Sequence, residues 1–91
     1  MMLIVSYDLK GPATAYSELF GVLKAQTKWW HYLSSAWLII TQRTPDQLVT
    51  DLRPHIHSGD RILIAKIDTT QRPNGWLPKD AWEWIDNNFQ S

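Results

Sequence analysis

The first ten residues constrain the fold of this chain most, because they form one short apolar run that ends in a carboxylate. Residues 2–5 are all apolar, Ser6, Tyr7 and Asp8 follow, and Gly11-Pro12 breaks the run. A run this short and apolar is typical of a central strand that is covered on both faces. The sequence therefore predicts a sheet built around this strand, with Asp8 where the strand meets solvent.

Asp8 has two interpretations at this point. A carboxylate at the end of a central strand lies at the edge of a sheet, where binding and catalytic sites are often built. The local alternative is a turn cap, because Asp before Gly-Pro is common for purely conformational reasons. The residues alone leave both interpretations open.

Size and composition limit the classes of protein that remain. The 91 residues predict one domain, 1–91, whose core depends on large side chains such as the six tryptophans. The absence of cysteine excludes disulfides and thiolate metal sites. A formal net charge of zero excludes the global basic field of an avid duplex-binding protein. No apolar run approaches the roughly 20 residues that span a bilayer, and no basic leader opens the chain, so we expect a cytoplasmic protein without a membrane partner.

The next segments predict a helix and a strand hairpin. Thr14 is the expected N-cap of a helix that runs to about residue 26, with its apolar face at helical spacing. The aromatic and β-branched segment after it predicts two strands, 30–33 and 36–41, joined by a tight turn at Ser34-Ser35. A single long strand is the alternative.

The second half of the chain repeats this alternation. Thr44-Pro45-Asp46 predicts a helix start, with Thr44 as N-cap and Pro45 at the first helical position, and Pro54 ends that helix. Residues 61–68 predict the last strand, and a final helix is expected to begin near residue 78. The order indicates an α+β, ferredoxin-like split βαβ (βαββαβ) domain with a four-stranded antiparallel sheet. Its core is expected at 1–68, followed by a loop and an extra C-terminal helix over 69–91.

The second strand carries a run of aromatic side chains. Alternation sends Trp30 and Tyr32 to one face of the sheet, and Trp29, His31 and Leu33 to the other. One of these sets must be less buried, and an exposed tryptophan or histidine there is able to stack on a nucleobase. The alternative for both sets is core packing. We take Trp30 and His31, with Tyr7 and Lys10 near the first strand's end, as candidate nucleic-acid contacts.

Three segments carry a resemblance to a known family: L-I-V-S-Y-D-L near the start, Y-L-S-S-A-W-L-I-I-T in the hairpin and D-R-I-L-I-A-K-I in the last strand. Over roughly residues 1–68 the chain resembles the small CRISPR adaptation subunit family. The terminal W-L-P-K-D-A-W-E-W is similar to that of its stand-alone, SinR-like relatives. The resemblance implies a compact, ferredoxin-like homodimer and a metal-dependent nuclease.

The resemblance also implies roles for two residues. Asp8 would be the catalytic carboxylate and, facing its copy across the dimer axis, the ligand of Mg²⁺ or Mn²⁺. Ser35 falls where the family carries a serine near that site. The expected activity is therefore endonucleolytic cleavage of RNA or DNA. The alternatives are a non-catalytic dimeric module that binds nucleic acid or protein, and a ribonuclease similar to the VapD-like toxins.

Overall fold

The computed structural model describes residues 1–89. The protein is α+β, with a four-stranded antiparallel sheet and three α-helices. In chain order the elements are β1 (Met2–Asp8), a 3-10 turn (Ala13–Tyr16), α1 (Ser17–Lys24), β2 (Lys28–Leu33), β3 (Ala36–Ile40), α2 (Pro45–Leu52), a second 3-10 turn (Arg53–His55), β4 (Arg61–Lys66) and α3 (Lys79–Asn88).

The first strand lies inside the sheet, as its apolar run predicts. The strand order is β2-β3-β1-β4, and β1 pairs antiparallel with both β3 and β4. Val5 lies opposite Trp37 on one side and Ile64 on the other, and Asp8 lies opposite Arg61 at the strand's end. Each crossover through α1 or α2 therefore connects two strands that have one strand between them.

The main core lies between the sheet and the two crossover helices. Its sheet side is formed by alternate residues of β1 and β3, and its helix side by apolar residues of α1 and α2 at helical spacing. The buried members are Leu3, Val5, Tyr16, Leu19, Leu23, Trp37, Ile39, Leu48 and Leu52. Burial of this one continuous cluster fixes both helices on the same face of the sheet.

The C-terminal helix covers part of the opposite face. Ala81 and Ile85 of α3 are buried against Trp30 and Leu38. The Trp30 indole Nε1 donates a hydrogen bond to the Ala81 carbonyl oxygen at 3.2 Å, which satisfies its polar atom inside this second cluster. The β4 side of the face stays open, and Leu63 is 69% exposed there.

The two predicted N-caps have different outcomes. Thr44 caps α2 as expected: its hydroxyl accepts from the Gln47 N–H, and the Gln47 side chain accepts from the Thr44 N–H. Thr14 lies inside the first 3-10 turn, no side chain caps α1, and α1 begins only at Ser17. The prediction of Thr14 as the N-cap is therefore wrong: a 3-10 turn precedes the α-helix at this position.

A bulge changes the face of one residue in the hairpin. The pairs Trp29 with Ile39 and Trp30 with Leu38 keep one register, but Leu33 pairs with Ala36, which is one residue out of that register. The extra residue in β2 moves Leu33 to the same face as Ala36. The alternation that placed Leu33 beside His31 is therefore wrong for Leu33.

In residues 1–89 no helix has the length and apolar character to cross a membrane.

Candidate functional site

The end of β1 holds the hairpin turn in place. The Tyr7 N–H donates to the Ser35 carbonyl oxygen at 3.0 Å, and the Tyr7 hydroxyl donates to the Ser34 carbonyl oxygen at 3.2 Å. The buried Trp37 indole Nε1 in turn donates to the Tyr7 hydroxyl at 3.0 Å. These bonds fix the serine turn beside the C-terminal end of β1.

An open cleft of about 480 Å³ lies at this junction. It brings together Asp8 and Ser35, the two residues to which the family resemblance gives catalytic roles. Its wall continues along the loop after β1 and the start of α1, and the lining is Tyr7, Asp8, Leu9, Gly11, Ala13, Tyr16, Phe20, Ser34 and Ser35. The cleft therefore combines a carboxylate, two serines and three aromatic rings.

The Asp8 side chain is 67% exposed. One of its oxygens lies 3.8 Å from the Lys10 ammonium, which is itself 61% exposed, so this pair is strongly screened by water. Within residues 1–89, Asp8 accepts no hydrogen bond from the turn that follows it. The turn-cap interpretation therefore has no bond to support it, and the Asp8 carboxylate is directed to solvent.

Asp60 binds the turn instead. One Asp60 oxygen accepts from the Lys10 N–H and from the Tyr16 hydroxyl, both at 2.8 Å, and the other accepts from the His57 N–H at 2.7 Å. Tyr16 also accepts from the Gly11 N–H at 3.1 Å. The network holds the loop after Asp8 against the turn that precedes β4.

The network shifts the ionisation of both side chains. Burial acts to raise the pKa of Asp60, but the hydrogen bonds from Lys10, His57 and Tyr16 outweigh it and lower that pKa below its ordinary value. Burial, with the neighbouring Asp60 carboxylate, raises the pKa of the Tyr16 hydroxyl. Asp60 is thus held as a carboxylate at neutral pH.

The four predicted nucleic-acid contacts are divided by the fold. Tyr7 lines the cleft, and Lys10 lies beside Asp8. His31 is exposed next to the cleft and stacks on Trp37, with ring centroids 4.0 Å apart and planes 12° from parallel. Trp30 is only 3% exposed and lies under α3 on the opposite face. Its ring cannot stack on a base without moving α3, so Trp30 is not part of this site.

The remaining histidines make local contacts. The His55 Nδ1 lies 3.2 Å from Glu18, and the His57 Nε2 lies 3.3 Å from the Ala15 carbonyl oxygen. No group of three His, Asp or Glu side chains among residues 1–89 is arranged to hold a metal ion. Among the described residues that line the cleft, Asp8 is the one carboxylate, so each chain offers a divalent ion a single carboxylate there.

The chain matches no model of a protein family, and searches of curated proteins and of solved structures also find no match. Conclusions on function therefore rest on the cleft and the residues around it.

The sequence analysis missed Asp60 and Tyr16, whose contacts join segments 44 to 50 residues apart. Asp60 lies in the turn before β4, and no local sequence pattern signals such a long-range bond.

Proposed function

We propose that the protein is a ferredoxin-like, homodimeric endonuclease that acts on RNA or DNA in the cytoplasm. Asp8 and Ser35 would act at the phosphodiester bond, and the Asp8 carboxylates of two copies would together hold Mg²⁺ or Mn²⁺. One observation carries the proposal: Asp8 at the end of β1 and Ser35 in the hairpin turn line the same open cleft.

The strand order supports the ferredoxin-like part of this proposal. The strand order is β2-β3-β1-β4. Helix α1 connects β1 to β2, which have β3 between them, and α2 connects β3 to β4, which have β1 between them. Both crossover helices lie on one face of the sheet. This is the arrangement expected of two interlocked split βαβ units.

The surroundings of Asp8 support a role in chemistry. The Lys10 N–H in the turn after β1 donates to Asp60 and not to Asp8, so within residues 1–89 no turn N–H occupies the Asp8 carboxylate. The Ser35 hydroxyl is a donor and acceptor suited to orient a phosphate oxygen or a water. Lys10 supplies a positive charge at the same end of the cleft.

The proposed metal site favours a second copy of the chain. A hard divalent ion prefers several oxygen ligands, and one chain offers one carboxylate. Two Asp8 carboxylates at a dimer axis would repel each other, and a divalent ion would relieve that repulsion. A bound ion of this kind supplies charge that polarises a phosphate and lowers the pKa of water.

Thermal melts with and without Mn²⁺, on the parent, Asp8→Asn and Asp46→Asn, test the proposal. Asp46 is a matched control, because it is an exposed aspartate on α2. We expect Mn²⁺ to raise the melting temperature of the parent and of Asp46→Asn, but not of Asp8→Asn. Without metal, Asp8→Asn should melt at or above the parent. Cleavage of single-stranded RNA, double-stranded RNA and duplex DNA should require Asp8.

Two results would contradict the proposal. If Asp8→Asn melts well below the metal-free parent, Asp8 has a structural role. If Asp8→Asn keeps both the Mn²⁺ effect and cleavage, the metal and the chemistry lie elsewhere.

A non-catalytic module that binds nucleic acid is the second candidate. The observation that favours it is the single carboxylate in the cleft, which is exposed and already beside a lysine. It predicts that the parent and Asp8→Asn bind oligonucleotides equally and that neither cleaves them.

A further inference from the structure

We propose that the exposed rings of His31 and Trp29, with Lys24 and Lys28 beside them, bind the unpaired bases of a single-stranded nucleic acid. These four residues form a site outside the Asp8 cleft, which we call the β2 platform. The proposal rests on the proposed function only in that the bound strand would lead into the Asp8 cleft. Binding to the platform itself requires neither metal nor cleavage.

The rings form a continuous series from the cleft to the platform. Phe20, in the cleft wall, has its ring centroid 6.2 Å from that of Tyr7 and 6.4 Å from that of His31. The buried Trp37 lies beneath, with its centroid 4.0 Å from that of His31 and 5.4 Å from that of Trp29. A strand that leaves the cleft therefore passes Phe20 and His31 before it reaches Trp29, with the buried Trp37 between the last two rings.

The two platform rings are held firmly but remain accessible. His31 stacks on Trp37, and its Nε2 lies 3.4 Å from the Ser34 carbonyl oxygen, so the ring is fixed in orientation. His31 is nevertheless an exposed residue, and Trp29 is 41% exposed. Both lie on β2, an edge strand of the sheet. Accessible rings on a strand of the sheet are suited to stack on bases.

The charges around these rings fit a phosphate backbone. The Lys24 ammonium lies over the Trp29 ring, 5.4 Å from its centroid, where a stacking base would displace it toward the phosphates, and the Lys28 ammonium donates to Asn88 at 3.0 Å. Neither lysine forms an ion pair with a carboxylate within residues 1–89. Their charges are thus available to phosphates, although the net charge of the chain is zero.

The dimensions and chemistry favour a single strand over a duplex. From Leu33 to Trp29, β2 rises about 3.3 Å per residue, which gives about 13 Å and room for a few nucleotides. Stacking requires an open base face, which a duplex buries between neighbouring pairs. The platform has two exposed rings, Trp29 and His31, and two adjacent cations. We therefore expect base stacking, rather than charge attraction, to contribute most of the binding affinity.

Fluorescence anisotropy of labelled oligonucleotides of about a dozen nucleotides, with divalent ions chelated, tests the platform. The probes are single-stranded RNA, single-stranded DNA and the matching DNA duplex. We expect both single strands to bind more tightly than the duplex, and the two single-strand measurements show which sugar is preferred. Trp29→Ala and His31→Ala should each weaken single-strand binding by about 5- to 150-fold.

Three further variants separate stacking from folding and charge. Trp29→Phe should retain most of the affinity, because the ring is kept. Trp76→Ala removes a tryptophan that is 98% exposed outside the platform and should bind like the parent. Joint replacement, Lys24→Gln with Lys28→Gln, should reduce the slope of log K against log salt by about 0.7 for each phosphate that the lysines no longer neutralise.

The platform is overturned if the duplex binds as tightly as the single strands, or if Trp29→Ala and His31→Ala bind like the parent. It is also overturned if Trp76→Ala weakens binding as much as Trp29→Ala does. Failure of the proposed function looks different: Asp8→Asn would then leave every metal-dependent result unchanged while platform binding persists.

Discussion

The Asp60 carboxylate joins three segments of the chain through its hydrogen bonds. It accepts from the backbone of Lys10 after β1, from the hydroxyl of Tyr16 before α1, and from the backbone of His57 before β4. Charged acceptors form stronger hydrogen bonds than neutral ones, so these bonds favour the ionised form of Asp60. At the scale of single residues, Asp60 holds the turn, and the Asp8 side chain stays exposed and accepts no hydrogen bond within residues 1–89.

The lowered pKa of Asp60 makes its contribution dependent on pH. A carboxylate whose folded pKa is depressed contributes stability above its unfolded pKa, near 3.9, and loses that contribution as the pH falls through the folded pKa. In Asp60→Asn an amide nitrogen replaces one oxygen, so one acceptor is removed. We expect Asp60→Asn to melt below the parent at pH 7, and the gap to shrink as the pH falls below about 4.

Thermal melts of both proteins across this pH range measure the effect. Glu83→Gln is the control, because Glu83 forms only an exposed pair with Lys79 at 3.7 Å and should melt like the parent at every pH. A gap between Asp60→Asn and the parent that stays constant down to pH 3 would show that the charge of Asp60 is unimportant.

At the scale of elements, α1 and α2 differ in how they begin. The reciprocal bonds between Thr44 and Gln47 satisfy backbone donors that the first turn of α2 would otherwise leave open. Thr44→Ala should therefore lower the free energy of unfolding by about 1 kcal/mol. Thr14→Ala is the matched control and should leave it nearly unchanged, because no side chain caps α1. Chemical denaturation of both variants measures this. Equal losses would contradict the assigned caps.

These two threonines also show what the sequence can predict about elements. Thr44 is followed by proline at the first helical position and glutamine at the third, and these local signals fix a helix start. Thr14 lacks such partners, and the loop that precedes α1 is held by Asp60, which is remote in sequence. The hairpin at Ser34-Ser35 was predicted because strand patterns and turn residues are local. The bulge that turns Leu33 to the other face has no comparable local signal.

The same limit applies to the candidate site. Asp8 and Ser35 were named from a family resemblance, and the fold does bring them to one cleft. The alternation of side chains along β2 predicts that Trp30 lies on the opposite face of the sheet from Trp29 and His31. It does not predict which of the two faces α3 covers. Docking of Ala81 and Ile85 on Trp30 decides that, and it leaves Trp29 as the exposed tryptophan of the pair.

At the scale of the whole molecule, the two faces of the sheet are covered unequally. The face under α1 and α2 is closed by the main core, whereas α3 packs on the β2 side of the other face. Beside β1, Leu63 lies opposite Ser6, and the next pair on that face is Arg61 with Asp8. An exposed leucine thus lies diagonally across from the proposed metal ligand, beside the pair of Arg61 with Asp8.

This arrangement locates the proposed dimer contact. If two copies meet through the open part of this face, Leu63 is buried and the two Asp8 side chains approach each other, as the metal proposal requires. We expect sedimentation equilibrium at micromolar concentration to give about twice the 10.6 kDa chain mass for the parent. Leu63→Asp should sediment as the single chain, because it would place a charge in the contact.

Leu63→Met is the matched control, since it keeps an apolar side chain and should keep the dimer. Leu63→Asp should also lose stabilisation by Mn²⁺ although Asp8 is intact, because each separated chain offers one carboxylate. A parent that sediments at 10.6 kDa would refute the dimer. A Leu63→Asp variant that stays dimeric would move the contact to another surface. If it is monomeric but still responds to Mn²⁺, one chain binds the ion alone, and pairing of the Asp8 carboxylates is unnecessary.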